Sequence, residues 1–242
     1  MPLKGPDDTV QTAKRFYKTV GVEAVDGGFA VRLDGRSPKS PAGLPLVLPT
    51  RGLADLTAAE WAGQEEFILL AAMPATRLAF TAIEKAAAVR EGLADEVAKY
   101  AGSDVLCYFA EDPAQLLAQQ VAAWEPILAW AEQELGVRMN RASGIVHCAQ
   151  DSEALAAIKA HALALDDFRL IGLAHATPLY GSALLALAVQ RGRLSGEEAY
   201  ELSRLDEAFQ ESQWGIDEEA AERTGKLRAE AAMIGAWFSA LG

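Results

Sequence analysis

The sequence predicts an α+β protein, with a small β-rich N-terminal domain followed by a larger all-helical C-terminal domain. Three observations carry this. Before residue 50, apolar side chains recur at every second position between glycines and prolines, which is the period of a strand. After Thr50 the recurrence lengthens to three and four, the period of a helix. The later part also carries its own helix caps and prolines. The domains are taken as 1–70 and 71–242, with the boundary falling between 50 and 100.

Val20, Val22 and Ala24 alternate, then Asp26-Gly27-Gly28 intervenes, then Phe29, Val31 and Leu33 alternate again. This predicts a β-hairpin around a glycine-permitted turn. Asp34-Gly35 is a second turn, and Leu46-Val47-Leu48 a short third strand ended by Pro49. Leu53, Leu56, Ala59, Glu60 and Gln64 predict a helix over 51–66. Pro74 interrupts, and two more helices are expected, from Ala75 or Thr76 to about 89 and from about 90 to 101.

Asp112-Pro113 predicts the next helix, with Asp112 as N-cap, Pro113 in the first helical position and Gln115 completing a capping box. Pro126 is expected to kink or split it. Thr177-Pro178 repeats the cap-plus-proline signal, and Gly192 would close that helix. Ser195 to Glu198 forms a further capping box, opening a helical stretch that reaches Thr224 with Gly215 as its weak point.

Composition narrows the function. Hydrophobic residues make up 51% of the 242, enough to bury a core and too many for a disordered chain. A formal charge of −12 without a basic stripe argues against nucleic acid and suits a basic or mixed-charge partner. No segment reaches the roughly 18 apolar residues of a membrane span, and the start lacks the apolar stretch of a secretory signal. Two cysteines make no disulfide framework, so a reducing compartment is expected.

Catalytic signatures are missing. There is no GxxxxGK[ST] loop, no GxGxxG opening a helix and no GxSxG elbow. His147, His161 and His175 are scattered, and neighbouring His147 and Cys148 would point to opposite faces of a strand. Cys107 lies in the apolar run Val105–Phe109 and reads as a core thiol. No cofactor or metal is expected. Trp124 and Trp130 read as core, and Trp237 with Phe238 as the anchor of the last helix.

One stretch stands out. Winding Leu202–Ala220 at about 100° per residue brings Leu202, Leu205, Phe209, Ile216 and Ala220 within about 60° of one another. This predicts a core-facing stripe. Glu207, Gln210, Glu211, Trp214 and Glu218 fall on the far side, with Asp217 nearby. A tryptophan among carboxylates reads either as packed against a neighbouring element or as an exposed aromatic anchor for a protein partner.

Several motifs occur in a fixed order. Arg15-Phe16-Tyr17-Lys18 leads to Leu33-Asp34-Gly35-Arg36, Leu48-Pro49-Thr50, and Ala59-Glu60-Trp61 with Gln64. Met73-Pro74, Thr76-Arg77-Leu78, Tyr100-Ala101-Gly102 with Asp104, and Leu106-Cys107-Tyr108 follow. Gly181-Ser182 with Leu184, and Leu205-Asp206-Glu207 with Gln210, Trp214-Gly215 and Asp217–Ala220, complete the series.

This ordered set, spanning about 15–238, resembles the Atp12 family of ATP synthase F1 assembly factors. Leu69-Leu70, Phe80 and Phe109 depart from the family pattern. The resemblance implies the same two-part fold and a non-enzymatic chaperone that binds the free F1 α subunit and prevents its aggregation until β replaces it. Glu207, Gln210, Trp214, Asp217 and Glu218 are the expected binding surface, with Arg77, Glu60 and Trp61 as further candidates. A monomer is expected, in the bacterial cytoplasm or, in a eukaryote, the mitochondrial matrix. A general protein-binding adaptor and a carboxylate-dependent hydrolase are the alternatives.

Overall fold

The computed structural model describes residues 13–242. The expectation about a leader segment rests mainly on 1–12 and lies outside them. The chain divides into two compact units between Arg77 and Leu78.

In the first unit, β1 (Ala13–Lys14) pairs antiparallel with β5 (Phe67–Ile68). The hairpin forms as β2 (Val20–Val25) and β3 (Gly28–Leu33), with Val22 opposite Val31 and Val20 opposite Leu33. β4 (Val47–Leu48) adds to β3 as the third strand. Gly28 is required here. Its φ is +145°, and a Cβ would lie 2.2 Å from the Leu48 carbonyl oxygen, so any side chain would push β4 away.

Helix α1 (Arg51–Ala62) lies on this sheet and buries Leu53, Ala54, Thr57 and Trp61 at helical spacing. Thr50 caps it by accepting from the Leu53 amide at 3.2 Å. The helix stops at Ala62, a turn before the expected 66. There the Gln64 side chain donates to the Glu60 carbonyl and accepts from the Leu69 amide, so its amide group serves the departing chain.

Pro74 is the first residue of α2 (Pro74–Thr81), where its missing N–H costs nothing. A π-helical turn, Ala82–Ala86, carries the helix directly into α3 (Ala87–Ala101). The two helices expected between 75 and 101 are therefore continuous.

The second unit is helical apart from a two-residue parallel pair, β6 (Tyr108–Phe109) with β7 (Ala142–Ser143). Its helices are α3, α4 (Ala114–Leu135), α5 (Ser152–Leu163), α6 (Asp167–Tyr180), α7 (Ala183–Gln190), α8 (Gly196–Ser203), α9 (Leu205–Trp214) and α10 (Glu218–Leu241). α7 is apolar all round and occupies the centre, touching α3, α4, α6, α8 and α10. Burying each of Leu184, Leu185 and Leu187 contributes about 1.5–3 kcal/mol before chain entropy.

Proline and cap signals needed tertiary context. Asp112 does not cap α4. Pro113 holds the N-cap position in an extended conformation without a side-chain bond. Pro126 sits inside α4 without splitting it, in a segment that buries Trp124, Ile127, Leu128 and Trp130. Pro178 lies in the last turn of α6, so Thr177-Pro178 opens no helix; the Thr177 hydroxyl donates back to the Leu173 carbonyl instead. The actual cap of α7 is Ser182, accepting from the Leu185 amide at 3.0 Å. The Ser195–Glu198 capping box is formed as expected. The helical stretch it opens is broken at Arg204 and again at Gly215, whose φ is +82°.

Trp124 and Trp237 are buried, and each indole N–H finds a carbonyl, at Leu202 and Phe168 respectively. Cys107 is fully buried, and burial pushes its thiol well above the usual range. Among the described residues, no helix is long and apolar enough to cross a membrane.

Candidate partner-binding surface

Two breaks in the helical run create the surface. α8 ends at Ser203, and Arg204 turns the chain into α9. Its guanidinium reaches two turns along α9 to Glu211, at 2.6 Å, and lies 5.6 Å from the centre of the Tyr200 ring. The Tyr200 hydroxyl donates to the Thr224 carbonyl, tying α8 to α10.

α9 is held from beneath by α4. The Gln120 amide is fully buried, accepts from the Ala110 amide and donates to the Asp206 carboxylate at 2.5 Å. The Trp124 indole secures the end of α8 through the Leu202 carbonyl at 2.9 Å. Asp206 therefore faces inward and Glu207 outward, although the two are neighbours in sequence.

The expected stripe from Leu202 to Ala220 is only partly realised. α9 contains no buried residue, and Ile216 is exposed, because Gly215 ends the helix before Ile216 can join its apolar face. Trp214 is 80% exposed at the last position of α9, which decides between packing and exposure in favour of exposure. Glu207, Gln210, Asp217 and Glu218 are exposed too. Asp217 also caps α10 by accepting from the Ala220 amide at 2.8 Å, and Glu218 and Glu219 lie in its first turn, where the helix dipole favours negative charge.

The remaining candidates belong to the first unit. Glu60 and Trp61 are turned inward and are corrected to structural roles. The Glu60 carboxylate accepts from the Ala75 and Thr76 amides and the Thr76 hydroxyl at 2.7–2.8 Å, anchoring the start of α2. Burial raises its pKa, against the opposing effect of those bonds. Trp61 is 6% exposed, and its backbone carbonyl accepts from the Tyr17 hydroxyl. Its ring is therefore not presented to a partner. Arg77 is exposed.

The surface borders a groove of about 630 Å³, lined in part by Arg204, Glu207, Glu211, Asp217 and Arg223, with Val105, Tyr180 and Gly181 among its walls. The helical wheel grouped Glu207 and Glu211, but Arg204, Arg223 and Tyr180 gave no sequence signal. They reach the groove only through the packing of α6, α8 and α10.

A buried knot supports that wall. Asp104 is fully buried, caps the 3₁₀ turn Val105–Cys107 through the Leu106 amide, and accepts from the Leu184 amide at the start of α7. The Val105 amide donates to the Gly181 carbonyl. Burial pushes the Asp104 carboxyl up to about 6, against bonds from Ser182, Leu184, Leu106 and Ala183.

The crystal structure of Atp12 from Paracoccus denitrificans matches this chain with a TM-score of 0.87 and 38% identity, covering 94% of this chain and 98% of that one. The chain belongs to the ATP12 chaperone family. The family's model, described as ATP12 chaperone protein, matches residues 14–132. A crystal structure of an Agrobacterium tumefaciens protein gives the same TM-score of 0.87 at 38% identity, over 98% of this chain and 92% of that one. The mitochondrial protein atp12 of Schizosaccharomyces pombe is 26% identical over 221 residues, 86% of this chain and 76% of that protein. These matches extend well beyond 14–132, so the ATP12-family likeness includes α9 and α10.

Proposed function

We propose that this ATP12-family chain is an assembly chaperone for the F1 sector of ATP synthase, holding the unassembled α subunit until β takes its place. The exposed Trp214 ring, set among Glu207, Gln210, Asp217 and Glu218, is the observation that carries the reading. A subunit awaiting assembly exposes apolar surface, and such surface aggregates unless covered. An aromatic anchor with a polar rim can cover part of it and still yield to a larger final interface. The chaperone acts as a monomer, in the cytoplasm of a bacterium or the matrix of a mitochondrion.

The test is light scattering of purified F1 α subunit with and without equimolar chaperone, followed by addition of β. Suppression of aggregation that β relieves is the expected result. Unchanged protection by folded Trp214→Ala and Glu207→Lys proteins would remove the assignment of the site. No protection and no complex with α would remove the assignment of the client.

A further inference from the structure

The groove beside Trp214 has a chemistry that selects its occupant. Its rim carries Glu207, Glu211, Asp217 and Glu219 against Arg204 and Arg223. Arg204 is already engaged by Glu211 at 2.6 Å. Glu207, Asp217 and Glu219 then face Arg223 alone, an excess of two negative charges. The walls are partly apolar, through Val105, Leu179 and Leu227. Tyr180, 2% exposed, also lines the groove, and its hydroxyl has no hydrogen-bond partner among the described residues. Trp214, the last residue of α9, and the exposed Ile216 lie between the lining residues Glu211 and Asp217 along the chain.

We propose that this groove takes an arginine or lysine side chain from an extended segment of the client, with a neighbouring apolar residue laid against Trp214. The stem of such a side chain suits the apolar walls, and its cationic head suits the acidic rim. The inference rests on the proposed function, to which it adds the chemistry of the segment gripped.

The probes are two fluorescein-labelled hexapeptides, identical except for a central arginine or glutamine flanked by leucines, titrated against the full chain by fluorescence anisotropy. The arginine peptide should bind about tenfold more tightly, the effect of one charge-assisted contact. A Glu207→Gln/Glu219→Gln double variant should lose the preference while keeping its melting temperature, since both side chains are exposed. Equal binding of both peptides, or binding of neither, overturns the proposal, as does a preference that survives in the double variant.

Light scattering of the α subunit, run in parallel, separates the two readings. Protection of α without an arginine preference removes the groove's role alone. An arginine preference without protection of α supports the groove and removes α as its client.

Discussion

Trp214 presents nearly all of its ring to solvent, so its removal leaves no cavity. Trp214→Ala should change stability by no more than about 0.5 kcal/mol, while affinity for the client falls about thirtyfold, the loss of a typical aromatic hot spot. A thermal melt and a binding titration on the same sample check both. Asp104 is the opposite case, fully buried and hidden from any partner. Its carboxyl is raised by burial to about 6. The native state therefore holds that proton more tightly than the unfolded chain does. The associated stability is complete below about pH 4 and is lost as pH rises through 6, by about 3 kcal/mol. Urea unfolding from pH 4 to pH 7 should show this fall in the natural protein and not in Asp104→Asn. An unchanged slope in the variant would assign the pH dependence to other groups. Both Asp104 and Gly181-Ser182 were visible as motifs. Their meeting was not, because it depends on how α7 enters the core and not on any spacing along the chain.

Elements with local signals were legible and elements decided by their neighbours were not. The hairpin and the Ser195–Glu198 capping box form where alternation and side-chain oxygens placed them. Pro178 was misleading and Pro126 does not split its helix, since a proline's effect on a helix depends on whether surrounding packing outweighs one missing hydrogen bond. Gly215 was recognised as a weak point, but Arg204 was not. The turn there is stabilised by the Arg204–Glu211 pair, which forms only after the chain has turned. The contact between α8 and α10 is likewise tertiary. A Cβ at Gly196 would lie 1.8 Å from the Ala231 carbonyl oxygen, and a Cβ at Gly235 would lie 2.8 Å from the Gly196 amide nitrogen. Gly196→Ala should destabilise the protein by about 3 kcal/mol, the upper end of ordinary overpacking, because backbone must move to admit the methyl group. Denaturant unfolding measures the loss. A neutral result would show that α10 shifts away from α8 at little cost. Such a shift would also open the groove wall and weaken client binding.

At the scale of the molecule, the two-part organisation was legible because the apolar period changes once along the chain, near Thr50. The candidate surface was legible only as an out-of-place tryptophan among acids; its groove required three helices to be packed. Charge acts at this scale as well. The chain carries −12, and the surface around Trp214 is acidic beyond what the start of α10 needs for its cap. A client segment bearing basic side chains would be steered towards it before contact. Salt shortens the reach of such steering, from about 10 Å at 0.1 M to about 3 Å at 1 M. The association rate with the proposed α-subunit client should therefore fall by about tenfold over that range. The dissociation rate should change less, because a Trp214 contact covered on binding would be apolar and unscreened. Stopped-flow association and surface-based dissociation, each at both salt concentrations, separate the two effects. A salt-independent association rate would leave the acidic rim without a role in capture. Grip would then rest on Trp214 and its apolar neighbours alone, and Glu207→Lys should slow nothing.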